Sequence, residues 1–140
     1  MFNKISFEEL NARQKENYNF HKISAVLADY GYTTLRLSDD WQGADFIAQH
    51  LDGENFLKVQ LKSRLYFGKK YLNKNLYIAF READQWYLYP HDKLFKEIRP
   101  VSKIEQSESW KKDNGEYHFP SVPANFRAIL EKYTLKTADK

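Results

Sequence analysis

Residues 43–63, with the sequence GADFIAQHLDGENFLKVQLKS, decide the predicted fold. Two runs rich in strand-forming residues cover positions 44–51 and 55–63, and the DGE sequence at 52–54 between them is a tight-turn signal. This pattern is typical of two antiparallel strands joined by a short hairpin connection. The centre of the predicted fold is therefore a hairpin whose strands carry a few polar residues among apolar ones.

Asp45, Gln60 and Lys62 are the side chains of this hairpin that point to a chemical function. Because side chains alternate along a strand, Gln60 and Lys62 lie on the same side of the sheet, and Asp45 belongs to the neighbouring strand. Oxygen atoms of Asp45 and Gln60 can hold a hard divalent cation such as Mg²⁺ or Mn²⁺. Lys62 beside that ion can help to deprotonate a water molecule and can neutralise charge on a phosphate. The three residues predict hydrolysis of phosphodiester bonds.

Outward from the hairpin, the sequence predicts an α/β fold with a long N-terminal helix and a mixed β-sheet whose first strands pair antiparallel. The helix covers residues 6–30, because Ser6 and Glu9 match a capping box and Gly31 follows the last turn. Strands are predicted at 32–38, 44–51, 55–63, 75–81 and 85–90, with a second hairpin between the last two, and short helices at 91–98 and 121–133.

The length and composition favour one domain spanning residues 1–140. The chain has 140 residues, of which 42% are hydrophobic, and this is enough for one core. Within the domain, the core motif covers residues 9–64, a basic excursion of irregular or hairpin structure covers 64–74, and a C-terminal helical cap covers 91–135.

The composition also excludes several classes of site. Because there is no cysteine, disulfide bonds, thiol catalysis and cysteine-ligated zinc are ruled out, and the histidines lack ligand spacing. No stretch approaches the roughly 18 consecutive apolar residues of a membrane helix, and the first residues lack the apolar run of a signal peptide. We therefore expect a cytoplasmic protein without a membrane partner.

Positive charge is concentrated between residues 55 and 81, a segment that contains no Asp or Glu. The net charge of +3 over the whole chain is a weak signal, but an acid-free segment of this length favours a phosphate partner. The alternative is an ordinary solvated face. The residues predicted to contact nucleic acid, with DNA as the expected partner, are Lys58, Arg64, Lys69, Lys70, Tyr71 and Lys74.

The sequences GADFIA (43–48) and FLKVQLKSR (56–64), behind a helix that ends in DYGY (29–32), resemble the PD-(D/E)xK nuclease superfamily. The resemblance covers about residues 9–64. It implies a restriction-endonuclease-like core, Mg²⁺ dependence and cleavage of DNA, with Asp45 as the Asp of the motif and Lys62 as its Lys. Gln60 stands where the motif usually has an acid, as in some resolvase-like and small homing-type endonucleases.

Many members of this superfamily also have a glutamate on the first helix that reaches the metal. Phe20 occupies the position expected for it here, and Glu16 lies one helical turn earlier on the same face. We therefore include Glu16 as a catalytic and metal-binding residue; Glu9 is a weaker candidate because it already serves as a cap partner. A homo-oligomer would suit cleavage of both strands of a duplex.

Three other interpretations stay open at the level of sequence. Asp45 and Lys62 are also compatible with a simple cross-strand ion pair. The protein as a whole is also compatible with a nucleic-acid-binding module of the same fold without catalysis. A third interpretation is a protein-interaction scaffold that uses the aromatic C-terminal half.

Overall fold

An N-terminal helix and a mixed six-stranded sheet form the framework of the protein, as the computed structural model shows for residues 1–136. The predicted α/β fold is confirmed in this respect. The strands are β1 (Tyr32–Trp41), β2 (Ala44–His50), β3 (Phe56–Leu61), β4 (Leu65–Gly68), β5 (Leu76–Glu82), β6 (Gln85–Pro90), β7 (Glu116–Phe119) and β8 (Thr134–Leu135). The helices are α1 (Ala12–Ala28), α2 (His91–Ile98), α3 (Glu108–Lys111) and α4 (Arg127–Leu130).

The order of strands in the main sheet is β1-β2-β3-β5-β6-β8. Both predicted hairpins are confirmed, since β2 pairs antiparallel with β3 and β5 pairs antiparallel with β6. A parallel pairing of β3 with β5, in which Gln60 is opposite Ile78, makes the sheet mixed. The end of β3 is therefore held by a neighbouring strand on each side.

The first helix begins later than predicted, and the expectation of one helix from Ser6 is wrong. The Glu9 carboxylate accepts from the Ser6 N–H at 2.6 Å, but this cap supports only a 3-10 turn at Phe7–Glu9. Leu10 is extended, and the continuous helix starts after Asn11, whose side chain accepts from the Gln14 N–H at 2.9 Å. Two successive capping boxes thus divide one periodic segment into two pieces.

The basic excursion at 64–74 contains a short strand rather than irregular structure. Strand β4 pairs antiparallel with β7 in a separate two-stranded sheet, and a 3-10 turn at Lys69–Tyr71 follows it. The physical reason is burial: Leu65, Tyr66 and Phe67 are at most 5% exposed and pack into the larger core. The basic side chains of the segment therefore lie on either side of buried residues that fix the segment to the core.

The C-terminal region is less helical than the predicted cap at 91–135. Helix α2 agrees with the expectation, whereas the predicted helix at 121–133 is a 3-10 turn, the four-residue helix α4 and another 3-10 turn. Strands β7 and β8 also belong to this region, and β8 pairs with β6. Edge pairing and the inward packing of Phe126 and Leu130 override the local helical pattern.

Two apolar clusters hold the layers together. Ile23 and Leu27 of α1 pack against Phe46, Val59 and Trp86 on one face of the sheet. The larger cluster lies where the main sheet meets the second sheet and α2, with Phe67, Tyr89 and Leu94 among its members. Within residues 1–136, no helix combines the length and hydrophobicity that a membrane crossing requires.

The Tyr89 hydroxyl joins the two sheets, and we expect Tyr89→Phe to lower the free energy of unfolding by about 1–3 kcal/mol. This hydroxyl accepts from the Tyr66 N–H at 3.0 Å and donates to the Tyr66 carbonyl at 2.6 Å, and Tyr89 is fully buried. Its loss leaves two buried backbone groups unpaired. Urea titration measures the change, with Tyr117→Phe as the control, and an equal effect of both variants would contradict the prediction.

Candidate active site

Four of the residues singled out from the sequence line one cleft. Glu16, Asp45, Gln60 and Lys62 all face a cavity of ≈ 660 Å³. Helix α1 supplies Glu16, the start of β2 supplies Asp45, and the end of β3 supplies Gln60 and Lys62. Antiparallel pairing of β2 with β3 brings these two strand ends together at the end of the hairpin opposite its turn.

Asp45 is a half-buried carboxylate held by the neighbouring strand. Its Oδ2 accepts from the Leu61 N–H at 2.9 Å. Burial raises the pKa of Asp45, while the Leu61 N–H and the Lys62 charge act in the opposite direction. The ionised form is therefore less well solvated than an ordinary surface aspartate, which favours an additional positive partner.

Lys62 follows directly after β3, and its backbone position is fixed because its N–H donates to the Ala79 carbonyl at 2.9 Å. Its Nζ lies 4.1 Å from the centroid of the Tyr66 ring and 5.5 Å from that of Tyr71. Burial lowers the pKa of Lys62, with a further contribution from Lys70. Lys62 therefore loses a proton more easily than a solvated lysine does.

Asp45 and Lys62 are not in ion-pair contact within residues 1–136, although each affects the pKa of the other. A cross-strand ion pair would hold the two charges against each other and leave neither for a ligand. In the observed arrangement the carboxylate is bound by a backbone N–H, and the ammonium rests on aromatic rings. Both charged groups are therefore available to the cleft.

Gln60 and Asn19 each bring a buried carbonyl oxygen to the cleft without a donor. Gln60 Oε1 and Asn19 Oδ1 have no hydrogen-bond partner within residues 1–136, and both residues line the cavity. An unpaired buried oxygen is costly, and a cation or an ordered water can satisfy it. Asn19 was missed in the sequence; its signal is that it lies three residues after Glu16 on the same helix.

Glu16 and Phe20, the two positions of α1 considered for a metal-binding glutamate, have different surroundings in the structure. Phe20 packs edge-on against Phe46, with ring centroids 5.2 Å apart, so this position supports the core. Glu16 is solvent-exposed at the mouth of the cleft, and its charge contributes to the raised pKa of Asp45. Glu9 is bound to the Ser6 N–H and does not line the cleft.

This donor set fits a hard divalent cation that keeps several of its waters. Neutral amide oxygens and a carboxylate are oxygen ligands of the kind that Mg²⁺ accepts. Within residues 1–136, no three acidic, histidine or cysteine side chains are grouped closely enough to form a metal site by themselves. A cation here would therefore depend on Asp45 together with the amide oxygens of Gln60 and Asn19.

The residues predicted to contact nucleic acid fall into two groups. Arg64, Lys70 and Lys74 are exposed, and their side chains face solvent. Lys58 donates to Gln42 Oε1 and to the Lys74 carbonyl, and Lys69 donates to the Lys112 carbonyl, so both have partners within the protein. Arg64, Lys70 and Lys74 therefore remain candidates for contact with phosphate groups.

Tyr71 is a correction to the predicted nucleic-acid interface. It is 3% exposed, because it packs into the larger core between Tyr66 and His91. A buried ring cannot stack on a base, and its contact with Lys62 gives it a supporting position behind the site instead. Arg36 and Lys15 were missed, and they add positive charge to the same cleft that contains Asp45.

Comparisons with known proteins give likenesses of fold. No protein-family model and no curated protein matches the chain. The structure is similar to the Holliday junction resolvase Hjc of the archaeal hyperthermophile Archaeoglobus fulgidus, with a TM-score of 0.42 and 15% identity over 53% of this chain and 76% of that one. It is also similar to the bacterial homing endonuclease I-Ssp6803I, with a TM-score of 0.48 and 14% identity over 88% of this chain and 94% of that one. The function of this chain is therefore argued from its own cleft.

Proposed function

We propose that the protein is a divalent-metal-dependent endonuclease that hydrolyses phosphodiester bonds of DNA. The observation that carries the proposal is the cleft itself. It combines a carboxylate with a raised pKa, a lysine with a lowered pKa and two carbonyl oxygens that find no donor among residues 1–136. Each of these groups is incompletely satisfied, and a cation with a phosphate would satisfy all of them.

Asp45, Gln60 and Asn19 would hold the cation, with Glu16 at the mouth of the cleft as a further ligand, either directly or through water. A bound Mg²⁺ supplies a Lewis acid that activates water and polarises the phosphate. The Leu61 N–H fixes one Asp45 oxygen and thereby orients the carboxylate. Orientation of the ligand by a neighbouring group is a common requirement of metal sites.

Lys62 would move the proton and stabilise charge. Because its pKa is lowered, Lys62 gives up its proton more readily than a solvated lysine does. The uncharged amine can then accept a proton from the attacking water. The resulting ammonium then faces the phosphate and offsets the charge that develops on it. The Tyr66 and Tyr71 rings stabilise the same ammonium from behind.

Charge around the cleft supports a polyanionic substrate. Lys15 and Arg36 line the cavity with Lys62, and Arg64 and Lys70 are exposed nearby in the sequence segment that follows. Positive residues that follow the phosphate backbone give affinity without reading the base sequence.

Two copies of the chain would be needed to cut both strands at one position, and analytical ultracentrifugation with duplex DNA tests that arrangement.

Cleavage of supercoiled plasmid and labelled duplex DNA by the purified protein is the experiment that tests the proposal. We expect cutting with Mg²⁺ or Mn²⁺ and none with EDTA. DNA binding without cutting in any metal would instead support the non-catalytic binding module. Neither binding nor cutting would support the scaffold and contradict the proposal.

Gln60→Glu is expected to bind Mn²⁺ about tenfold more tightly than the wild-type protein, a difference of about 1.4 kcal/mol. The change places a charged oxygen where the wild-type protein has a neutral one without a donor. Calorimetric titration with Mn²⁺ measures the affinity. Gln49→Glu, an exposed position on the same hairpin, is the control, and equal effects of the two variants would contradict the assignment of Gln60.

Metal affinity is expected to fall as the pH is lowered. The fall should begin at a higher pH than it would for a metal site built on a solvated aspartate. Burial raises the pKa of Asp45, so protons compete with the cation for this carboxylate at a higher pH than they do for an ordinary Asp. Mn²⁺ titrations between pH 5 and pH 8 test this sign. In Asp45→Asn the residual affinity should lose most of its pH dependence; an unchanged profile would assign the titration to another group.

A further inference from the structure

A second pocket adjoins the catalytic cleft. It has a volume of ≈ 290 Å³ and is lined by Lys62, Ser63, Arg64, Tyr66 and His118. Lys62 and Ser63 also line the catalytic cleft, so the two cavities meet at these residues. A chain of phosphates that has one member in the cleft would have the next one within reach of the pocket.

Pairing of β4 with β7 brings His118 to this place. In that small sheet His118 is opposite Tyr66, and Arg64 stands directly before β4. Arg64 Nη1 lies 3.2 Å from His118 Nδ1. A guanidinium has only donors, so Nδ1 accepts and the imidazole keeps its proton on Nε2.

The side chain of Arg64 contacts an imidazole and keeps its positive charge exposed to solvent. Within residues 1–136, neither Arg64 nor His118 is in ion-pair contact with a carboxylate, and both side chains are exposed. Glu116, two residues before His118, accepts from the Tyr66 hydroxyl at 2.5 Å and does not line the pocket. An arginine held by an imidazole is oriented and still fully available to an anion.

We propose that Arg64, oriented by His118, binds together with the Ser63 hydroxyl the phosphate next to the scissile one on the strand being cut. The inference rests on the proposed nuclease function and names a further part of the same site. Arg64 supplies the charge and a forked donor, and His118 holds that fork in place. His118 is therefore a positioning residue, because it acts through Arg64.

Binding of a short DNA duplex to the Asp45→Asn protein over a series of salt concentrations tests the proposal without cleavage. We expect Arg64→Ala in this background to weaken binding about tenfold, and to reduce the slope of log K against log salt by about 0.9, the value for one lost phosphate contact. His118→Ala should weaken binding about threefold. Because His118 acts through Arg64, the double variant should be scarcely weaker than Arg64→Ala alone.

Lys93→Ala, which removes one exposed charge on α2, is the matched control and should leave the slope unchanged. Losses that add up in the double variant, or an Arg64→Ala slope equal to that of the control, would overturn the phosphate subsite of Arg64 and His118. The nuclease proposal would stand in that case, because the background still binds DNA. A background protein without salt-dependent binding would overturn the proposed function and this inference together.

Discussion

Asp45→Asn is expected to cut DNA about 10³-fold more slowly than the wild-type protein, and to unfold at a higher temperature. The first effect follows because the variant loses the charge of a proposed metal ligand. The second follows because burial raises the pKa of Asp45, which means that the ionised carboxylate destabilises the folded state at neutral pH. Asn retains an oxygen that can accept from the Leu61 N–H.

The gain in stability should be about 0.5–1 kcal/mol at pH 7, and it should vanish at acidic pH. The sign follows from linkage: a raised pKa in the folded state favours folding of the protonated form, and this benefit is lost as the pH rises through the folded pKa. Cleavage assays and thermal melts at two pH values measure both effects. Asp39→Asn, an exposed position on β1, is the control. Loss of cleavage together with loss of stability would indicate a structural role for Asp45 instead.

Lys62→Met is expected to reduce the cleavage rate by about 10²–10⁴-fold, the range for loss of a general acid–base group, with little change in metal affinity. Met keeps the length of the side chain beside Tyr66 and Tyr71 but removes the amine. Single-turnover rates and Mn²⁺ titrations separate the two effects. Lys93→Met, on the surface of α2, controls for loss of one charge.

Lys62→Arg distinguishes the two roles that Lys62 has in the proposal. Arg keeps the positive charge but does not give up a proton in this pH range. A rate close to that of Lys62→Met would assign Lys62 to proton transfer, and a rate close to that of the wild-type protein would assign it to charge stabilisation. Full activity of Lys62→Met would contradict both roles and remove Lys62 from the chemistry.

Much of the fold could be predicted from local pattern. The alternation of side chains and the turn signal at residues 52–54 predicted the β2–β3 hairpin, and the short connection between the runs at 75–81 and 85–90 did the same for β5 and β6. Both hairpins join strands that are neighbours in the sequence, so short-range signals suffice for them. The start of α1 was misplaced because two capping boxes follow each other within a few residues.

The residues of the candidate site could likewise be predicted only in part. Asp45, Gln60 and Lys62 belong to one hairpin, and Glu16 lies on the adjacent helix, so the sequence was sufficient to group them; their roles stay predictions. Asn19 and Arg36 were missed because their contribution depends on which side of a helix or strand faces the cleft. Tyr71 was wrongly assigned to the surface, because an aromatic residue among lysines gives no local sign of burial.

The sequence by itself determined the α/β class, the central hairpin and the convergence of its polar residues, because these depend on periodicities that operate over a few residues. Tertiary structure alone decided that β4 pairs with β7 and that β8 joins the sheet. It also decided that His118 meets Arg64 across 54 positions of the chain. Such contacts form between segments that are far apart in the sequence and bury each other's apolar faces. Which segments pair depends on the packing of the whole chain, and no local pattern encodes it.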